Sequence, residues 1–184
     1  AVGQSRINGL ADGDDVRSTA LALESLGVPI SGDLAQGLVV EGLGVGGLRE
    51  PAQPLDLGNS GTGVRLFMGC LATHPFTSHL AGDRSLSGRP MGRVMRPLEE
   101  MGANFLARDG ERLPLAVIGT AEPLPIAYRL PVPSAQVKSA VLLAALNTPG
   151  ESSVIESAPS RDHSERLLAA RGAGTLLGFF FLFF

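Results

Sequence analysis

The sequence predicts an α/β (α+β) fold assembled from repeated units, each read as strand, helix, strand, helix and then a strand pair. Three observations predict it. Three amphipathic runs, ALESLGV, LEEMGA and LLAARGA, stop at Gly27, Gly102 and Gly172, at nearly equal intervals along the chain. Two runs that are apolar nearly all round begin near Thr62 and Ser134, separated by almost the same interval, and interleave with the first series. Short strand candidates fill the gaps at 36–41, 54–57, 77–81, 103–107, 114–118, 126–130 and 152–156.

Taken in order, the first amphipathic run sets Val16, Ala20 and Leu23 at helical spacing and ends on Gly27, a residue suited to a left-handed C-cap. The glycine cluster Gly42, Gly44, Gly46 and Gly47 leads into Arg49, Glu50 and Pro51 instead of a helix, and GxxxxGK[ST] is absent, which argues against nucleotide binding. The GNSGTGVRL stretch, 58–66, runs straight into the first apolar helix. Met91, Val94, Met95 and Leu98 define the next amphipathic helix, and Pro97 inside it predicts a kink. PSAQVKSAVLLAAL supplies the second apolar helix. Helices apolar on every side must be buried, so each unit is expected to hide one helix and expose one against a shared sheet. By the same period, the first unit should own a buried helix starting about ten residues before Ala1. The sequence therefore reads as a piece lacking the opening strand and helix of its first unit.

Composition narrows the function. With 44% hydrophobic and 18% charged residues the chain should be globular. A net charge of −3 and a pI near 5.6 argue against a nucleic-acid partner. A small molecule or a protein is expected instead. Cys70 is the single cysteine and lies in the apolar run LFMGCLA, so no internal disulfide and no cysteine zinc cluster is expected, which fits a reducing cytoplasm. The N-terminus carries no signal-peptide pattern, and no stretch approaches the roughly 20 apolar residues that span a bilayer, so no membrane role is expected. Five of the eight Phe residues fall in the last six positions. That end, 174–184, reads as an aberrant tail and an aggregation liability.

Four segments place small polar and basic residues at helix starts: GNSGTGVR, GDRSLSGRPM, PSAQVK and SRDHSER. Glycines at 58, 61 and 63 allow a tight turn and close approach to N–H groups at the positive end of a helix. Arg65 in the first turn opposes the helix dipole, which is unfavourable unless an anion is near. With Arg84, Arg89, Lys138 and Arg161, these cations suggest a ligand carrying more than one phosphate or carboxylate. Each has a structural alternative: Arg84 solvated in a polar loop, Lys138 snorkelling from a buried helix, Arg161 capping with Asp162 or Glu165. Ser160, Asp162 and His163 are near neighbours on one turn and cannot converge as a catalytic triad. His74 and His79 have no partner at metal-ligand spacing.

Together GNSGTGVRL, GDRSLSGRPMGRV, SAQVKSAVLLAALNTPG and SRDHSERLL resemble the 5-enolpyruvylshikimate-3-phosphate synthases, most closely the bacterial subgroup with an RDH motif, from about Gly9 to Gly172. The resemblance implies the enolpyruvyl-transferase inverse α/β barrel, or α-β prism, with six βαβαββ units in two domains. Residues 1–173 would be most of the N-terminal domain, and the second domain would be absent. It implies transfer of the enolpyruvyl group of phosphoenolpyruvate to the 5-hydroxyl of shikimate 3-phosphate, without metal or other cofactor, in an enzyme usually monomeric and cytoplasmic. Carried over by motif, Ser134, Ala135, Gln136 and Arg161 would hold shikimate 3-phosphate, and Gly61, Arg89 and Gln136 would meet phosphoenolpyruvate. Asn59, Thr62 and Arg65 would shape that pocket, Arg65 either touching substrate or organising the loop. Gly61 implies the form of the loop sensitive to the herbicide glyphosate. The family's Lys-Ser pair would precede Ala1 and its general base would follow residue 184, so the chain alone is expected to be inactive. Two rival readings stand beside this one: the sister transferase acting on UDP-N-acetylglucosamine, whose reactive Cys would stand where Arg84 does, and a non-catalytic truncated domain that retains phosphate-ligand binding.

Overall fold

In the computed structural model, which describes residues 2–173, the repeat is visible in the strand pairing. The middle unit is complete. It runs β4 (Leu55–Asp56), α2 (Gly61–Ala72), β5 (Thr77–Ala81), the single turn α3 (Arg84–Ser87), α4 (Gly92–Glu100), β6 (Asn104–Arg108) and β7 (Arg112–Ile118). Its sheet has the order β4-β5-β7-β6, with β4 and β5 parallel across the α2 crossover and the other pairs antiparallel. The preceding elements, β1 (Val2–Ile7), α1 (Asp14–Ser25), β2 (Ile30–Asp33) and β3 (Gly37–Leu43), repeat its second half, because the order β1-β3-β2 matches β5-β7-β6. The following elements, β8 (Ala127–Arg129), α5 (Ala135–Ala145), β9 (Ser153–Ile155) and α6 (His163–Ala170), repeat its first half, with β8 and β9 parallel.

The three glycine stops share one geometry. Gly27, Gly102 and Gly172 have φ of 87°, 103° and 80°. After each, the next N–H returns to the carbonyl five residues back: Val28 to Leu23 at 3.0 Å, Ala103 to Leu98 at 3.1 Å, Ala173 to Leu168 at 3.0 Å. That bond satisfies a helix-end carbonyl, and the left-handed φ it needs is why glycine stands at all three places.

Two expectations need correction. The units do not share one sheet; each builds its own, of three, four and two strands. Strands β1 and β2 have no counterpart among the sequence candidates, because VGQSRI and ISGD lack apolar alternation and are largely exposed, holding to β3 by backbone pairing. Helix α4 runs over Gly92–Glu100 with Pro97 inside it.

The core lies around α2 and α5, which pack side by side as the apolar pattern of both predicts. Val64, Met68, Leu71, Ala140, Val141 and Leu142 are each 1% exposed or less. Burying such side chains stabilises by about 1.5–3 kcal/mol apiece for the larger ones. The two backbones touch at Gly69, where a Cβ would collide with the backbone carbonyl of Ala140. On its other side α2 faces a largely apolar groove of about 540 Å³ lined by Val16, Ala20, Leu23, Leu66, Phe67 and Cys70 among others. Among the described residues no helix is long and apolar enough to cross a membrane. The Phe-rich end lies outside the described residues.

Candidate functional site

The GNSGTG loop is fixed before the helix begins. Gly58 turns with φ +55°, donating its N–H to Asp56 Oδ1 at 2.9 Å and accepting from the Asp83 N–H at 2.8 Å. Ser60 caps α2 by accepting from the Gly63 N–H at 3.2 Å. Among the described residues the N–H groups of Gly61 and Thr62 have no intramolecular partner, at the positive end of the helix.

Two arginines converge on those groups. Arg65 donates from Nη1 to the Gly61 carbonyl at 2.7 Å and from Nη2 to the Pro90 carbonyl at 3.5 Å, tying the helix start to the Arg-Pro loop. These two bonds hold the helix start and that loop together. Arg89 reaches the same place from that loop and donates from Nη2 to Asn59 Oδ1 at 3.0 Å. Asn59 in turn donates to Asp83 Oδ2 at 2.6 Å, while Asp83 Oδ1 caps α3 at the Leu86 N–H. The Leu86 N–H and then the Asn59 amide hold the Asp83 carboxyl below its ordinary value. Burial first, and then the charges of Arg89 and Arg93, pull Arg65 below the usual guanidinium value. None of these three arginines has an ion-pair partner among the described residues. An anion fits this place, because it would relieve the crowding of like charge and receive the free N–H groups.

The second wall is the start of α5. Ser134 caps it by accepting from the Val137 N–H at 3.4 Å, and Gln136 donates from Nε2 to Thr62 Oγ1 at 2.8 Å across the cleft. Beside that bridge is a pocket of about 190 Å³ lined by Ala135, Gln136, Thr62, Arg161 and Ser164 among others. Arg161 is exposed and has no ion-pair partner among the described residues, so it does not cap with Asp162 or Glu165. The predicted residues thus fall into two adjoining clusters: Asn59, Gly61, Arg65 and Arg89 in one, Ala135, Gln136 and Arg161 in the other, with Thr62 at the junction and Ser134 capping.

Sequence reasoning missed Asp83, Ser139, Ser164 and a buried charge cluster. Ser139 and Ser164 share a hydrogen bond of 2.6 Å that fastens α6 to α5. Lys138 does not snorkel: it is 5% exposed and its Nζ lies 2.7 Å from Glu156 Oε2 and 2.6 Å from Glu165 Oε1. The available signal was a lysine inside an apolar helix with one glutamate, Glu156, just before the next motif and another, Glu165, within it. Arg84 is exposed, as its solvated reading had it. His74 is buried with Nδ1 at 2.8 Å from the Cys70 carbonyl, and burial lowers its pKa. Among the described residues no group of three or more His, Cys, Asp or Glu could hold a metal ion.

A model of the EPSP synthase (3-phosphoshikimate 1-carboxyvinyltransferase) family matches residues 1–174. The 3-phosphoshikimate 1-carboxyvinyltransferase of Rhodospirillum rubrum is 59% identical over 182 residues, 97% of this chain and 40% of the relative. That of Parvibaculum lavamentivorans is 59% identical over 173 residues, 94% of this chain and 38% of the relative. The solved EPSP synthase of Acinetobacter baumannii superposes with a TM-score of 0.94 at 40% identity, covering 100% of this chain and 41% of that one. The chain therefore spans about two fifths of the length of these proteins. The fold is that of EPSP synthase, an inverse α/β barrel, of which the described residues form a mixed α/β part with no closed barrel. Matched over nearly its whole length, residues 1–174, the chain belongs to the EPSP synthase (3-phosphoshikimate 1-carboxyvinyltransferase) family.

Proposed function

We propose that this chain supplies one wall of the site at which phosphoenolpyruvate and shikimate 3-phosphate react to form the enolpyruvyl ether and phosphate. The observation that carries the reading is that Arg65 and Arg89, without ion-pair partners among the described residues, meet at Gly61, where among the same residues the N–H groups of Gly61 and Thr62 have no partner, and that the Gln136–Thr62 bond joins this place to the Arg161 pocket. Two adjoining anion sites suit two anionic substrates held in contact. Gly61, Arg89 and Gln136 bind phosphoenolpyruvate, while Asn59, Thr62 and Arg65 hold their geometry. Ser134, Ala135, Gln136 and Arg161 bind shikimate 3-phosphate, Arg161 at its phosphate.

The 5-hydroxyl oxygen adds to C2 of phosphoenolpyruvate as C3 takes a proton. The tetrahedral intermediate then gives up a proton from C3 to the general base as it expels phosphate, whose growing charge Arg89 and the helix N–H groups stabilise. Holding both substrates in reacting geometry supplies the rest of the acceleration from this wall. The general base is assigned to residues outside the chain, which is read as one domain of a two-domain, monomeric, cytoplasmic enzyme.

The sister reaction on a nucleotide sugar is less well supported. Arg84 stands at the position of its reactive cysteine, and burial pushes the Cys70 thiol up to about 11, far from a nucleophile at neutral pH. Calorimetric titration of the chain with shikimate 3-phosphate tests the proposal. Micromolar to millimolar binding that Arg161→Ala weakens at least tenfold is expected, with no phosphate release by the chain alone. Absence of binding would leave the reading of an inert domain, and turnover by the chain alone would overturn the two-wall scheme.

A further inference from the structure

Between Glu156 and Glu165 the chain leaves β9, passes through Ser160 and Arg161, and enters α6. Both ends of this loop meet one atom, the Nζ of Lys138, at 2.7 Å and 2.6 Å. Glu156 Oε2 also accepts from the Ser160 N–H at 3.4 Å, next to Arg161 in sequence. The cluster is buried, with Lys138 at 5% and Glu165 at 2% exposure, and carries one cation against two carboxylates. Burial pulls the Lys138 ammonium down, but its bonds to Glu156 and Glu165 outweigh that and raise it, so it stays charged.

An ion cluster in such a place is a poor source of stability, since well-packed apolar residues often do as well or better. What it supplies is geometry. A buried ammonium accepts partners only where its N–H bonds can reach, and here those partners are the two ends of the loop that carries Arg161. Arg161 has no ion pair of its own among the described residues and faces the pocket beside Gln136 and Thr62. We propose that Lys138 is a positioning residue: by pinning Glu156 and Glu165 it fixes the Ser160–Arg161 segment so that Arg161 meets the phosphate of the acceptor substrate. This rests on the proposed function for the identity of that substrate, but not for the pinning.

The test uses the chain itself with Lys138→Met, Lys138→Arg, Glu156→Gln and Arg161→Ala. Backbone and Arg161 Nε NMR relaxation reads the pinning without any ligand. In the parent, residues 160–162 should be near the order parameter of about 0.85 typical of rigid backbone, and in Lys138→Met they should fall towards about 0.6. Signals of the 58–65 loop should not change. Glu156→Gln, which keeps Lys138 paired with Glu165, guards against a Lys138→Met chain that fails to fold and should loosen 157–161 alone. Shikimate 3-phosphate affinity should fall at least tenfold in Lys138→Met and recover in part in Lys138→Arg. Unchanged order at 160–162 in either folded variant would overturn the pinning. Binding lost in Arg161→Ala but kept in Lys138→Met would do the same. If Arg161→Ala leaves binding intact while the loop does loosen, the pinning stands and the substrate assignment falls.

Discussion

Alanine at Gly61 would place a methyl group 2.8 Å from Arg89 Nη1 and 3.1 Å from Arg65 Nη1. Ordinary contact begins near 3.5 Å, so Arg89 must retreat by about 0.7 Å. Arg65 is half-buried and tied to the Gly61 carbonyl, whereas Arg89 is exposed and held by side-chain bonds to Asn59 and Ser85, so Arg89 is the group that moves. The backbone tolerates the change, because Gly61 opens α2 without a left-handed φ and alanine is the better helix former by about 0.5–1 kcal/mol. The expected result is a thermal midpoint unchanged or a few degrees higher. A charge-assisted bond from Arg89 to a bound anion is worth about 1.5–3 kcal/mol, so phosphoenolpyruvate affinity should fall roughly 10- to 150-fold. Glyphosate, if it occupies the same space, should lose more, since the methyl intrudes on it directly. The assay is thermal denaturation of the chain together with inhibition kinetics on the full-length protein. Unaltered glyphosate inhibition, or a lowered midpoint with unaltered substrate affinity, would refute the reasoning.

Other outcomes are as definite. Gly69→Ala drives a methyl into the Ala140 carbonyl, a backbone group that cannot rotate away, and should cost about 1–3 kcal/mol or more, read as a lower midpoint in urea. His74 has a folded pKa below its ordinary value of about 6.5, so stability should be constant above that pH and fall as the pH drops below it. His74→Gln should remove the part of that fall lying between pH 6.5 and 5, measured by the midpoint against pH. Glu156 is likewise depressed, its desolvation outweighed by the bond from Lys138, so a further loss should set in below about pH 4.5 and be smaller in Glu156→Gln. With its thiol pushed up to about 11, Cys70 should react with iodoacetamide at pH 8 on the order of a hundredfold more slowly than a free cysteine, followed by mass spectrometry.

What the sequence made legible was whatever depends on local backbone chemistry. Gly27, Gly102 and Gly172 mark helix ends because only a left-handed residue makes that turn cheaply, and the apolar runs from near Thr62 and Ser134 mark starts that Ser60 and Ser134 cap in the structure. The residues of the two clusters at the cleft, Asn59, Gly61, Arg65 and Arg89 on one side and Ala135 and Gln136 on the other, were singled out for the same reason, most lying within a few positions of those starts. Strands β1 and β2 were not, since their hold is pairing with β3 and their side chains face water. The division into separate sheets is likewise a long-range outcome that no local pattern encodes. The setting of Lys138 was hidden because a lone lysine in an apolar helix looks alike whether its ammonium escapes to solvent or meets distant carboxylates such as those of Glu156 and Glu165.

The touch between α2 and α5 has a meaning for the site that their packing alone does not suggest. Thr62 and Gln136 open the two helices, and Gly69 lies two turns further along, about 10 Å down the axis. The helices behave as two rods clamped at Gly69 and Ala140, with the mouth of the cleft at their free ends. A side chain inserted at the clamp would spread the rods, lengthening the 2.8 Å Gln136–Thr62 bond and moving the Arg65–Arg89 and Arg161 clusters apart. The spacing of the cleft at Thr62 and Gln136 is thus gauged by the missing methyl of one glycine, well away from both.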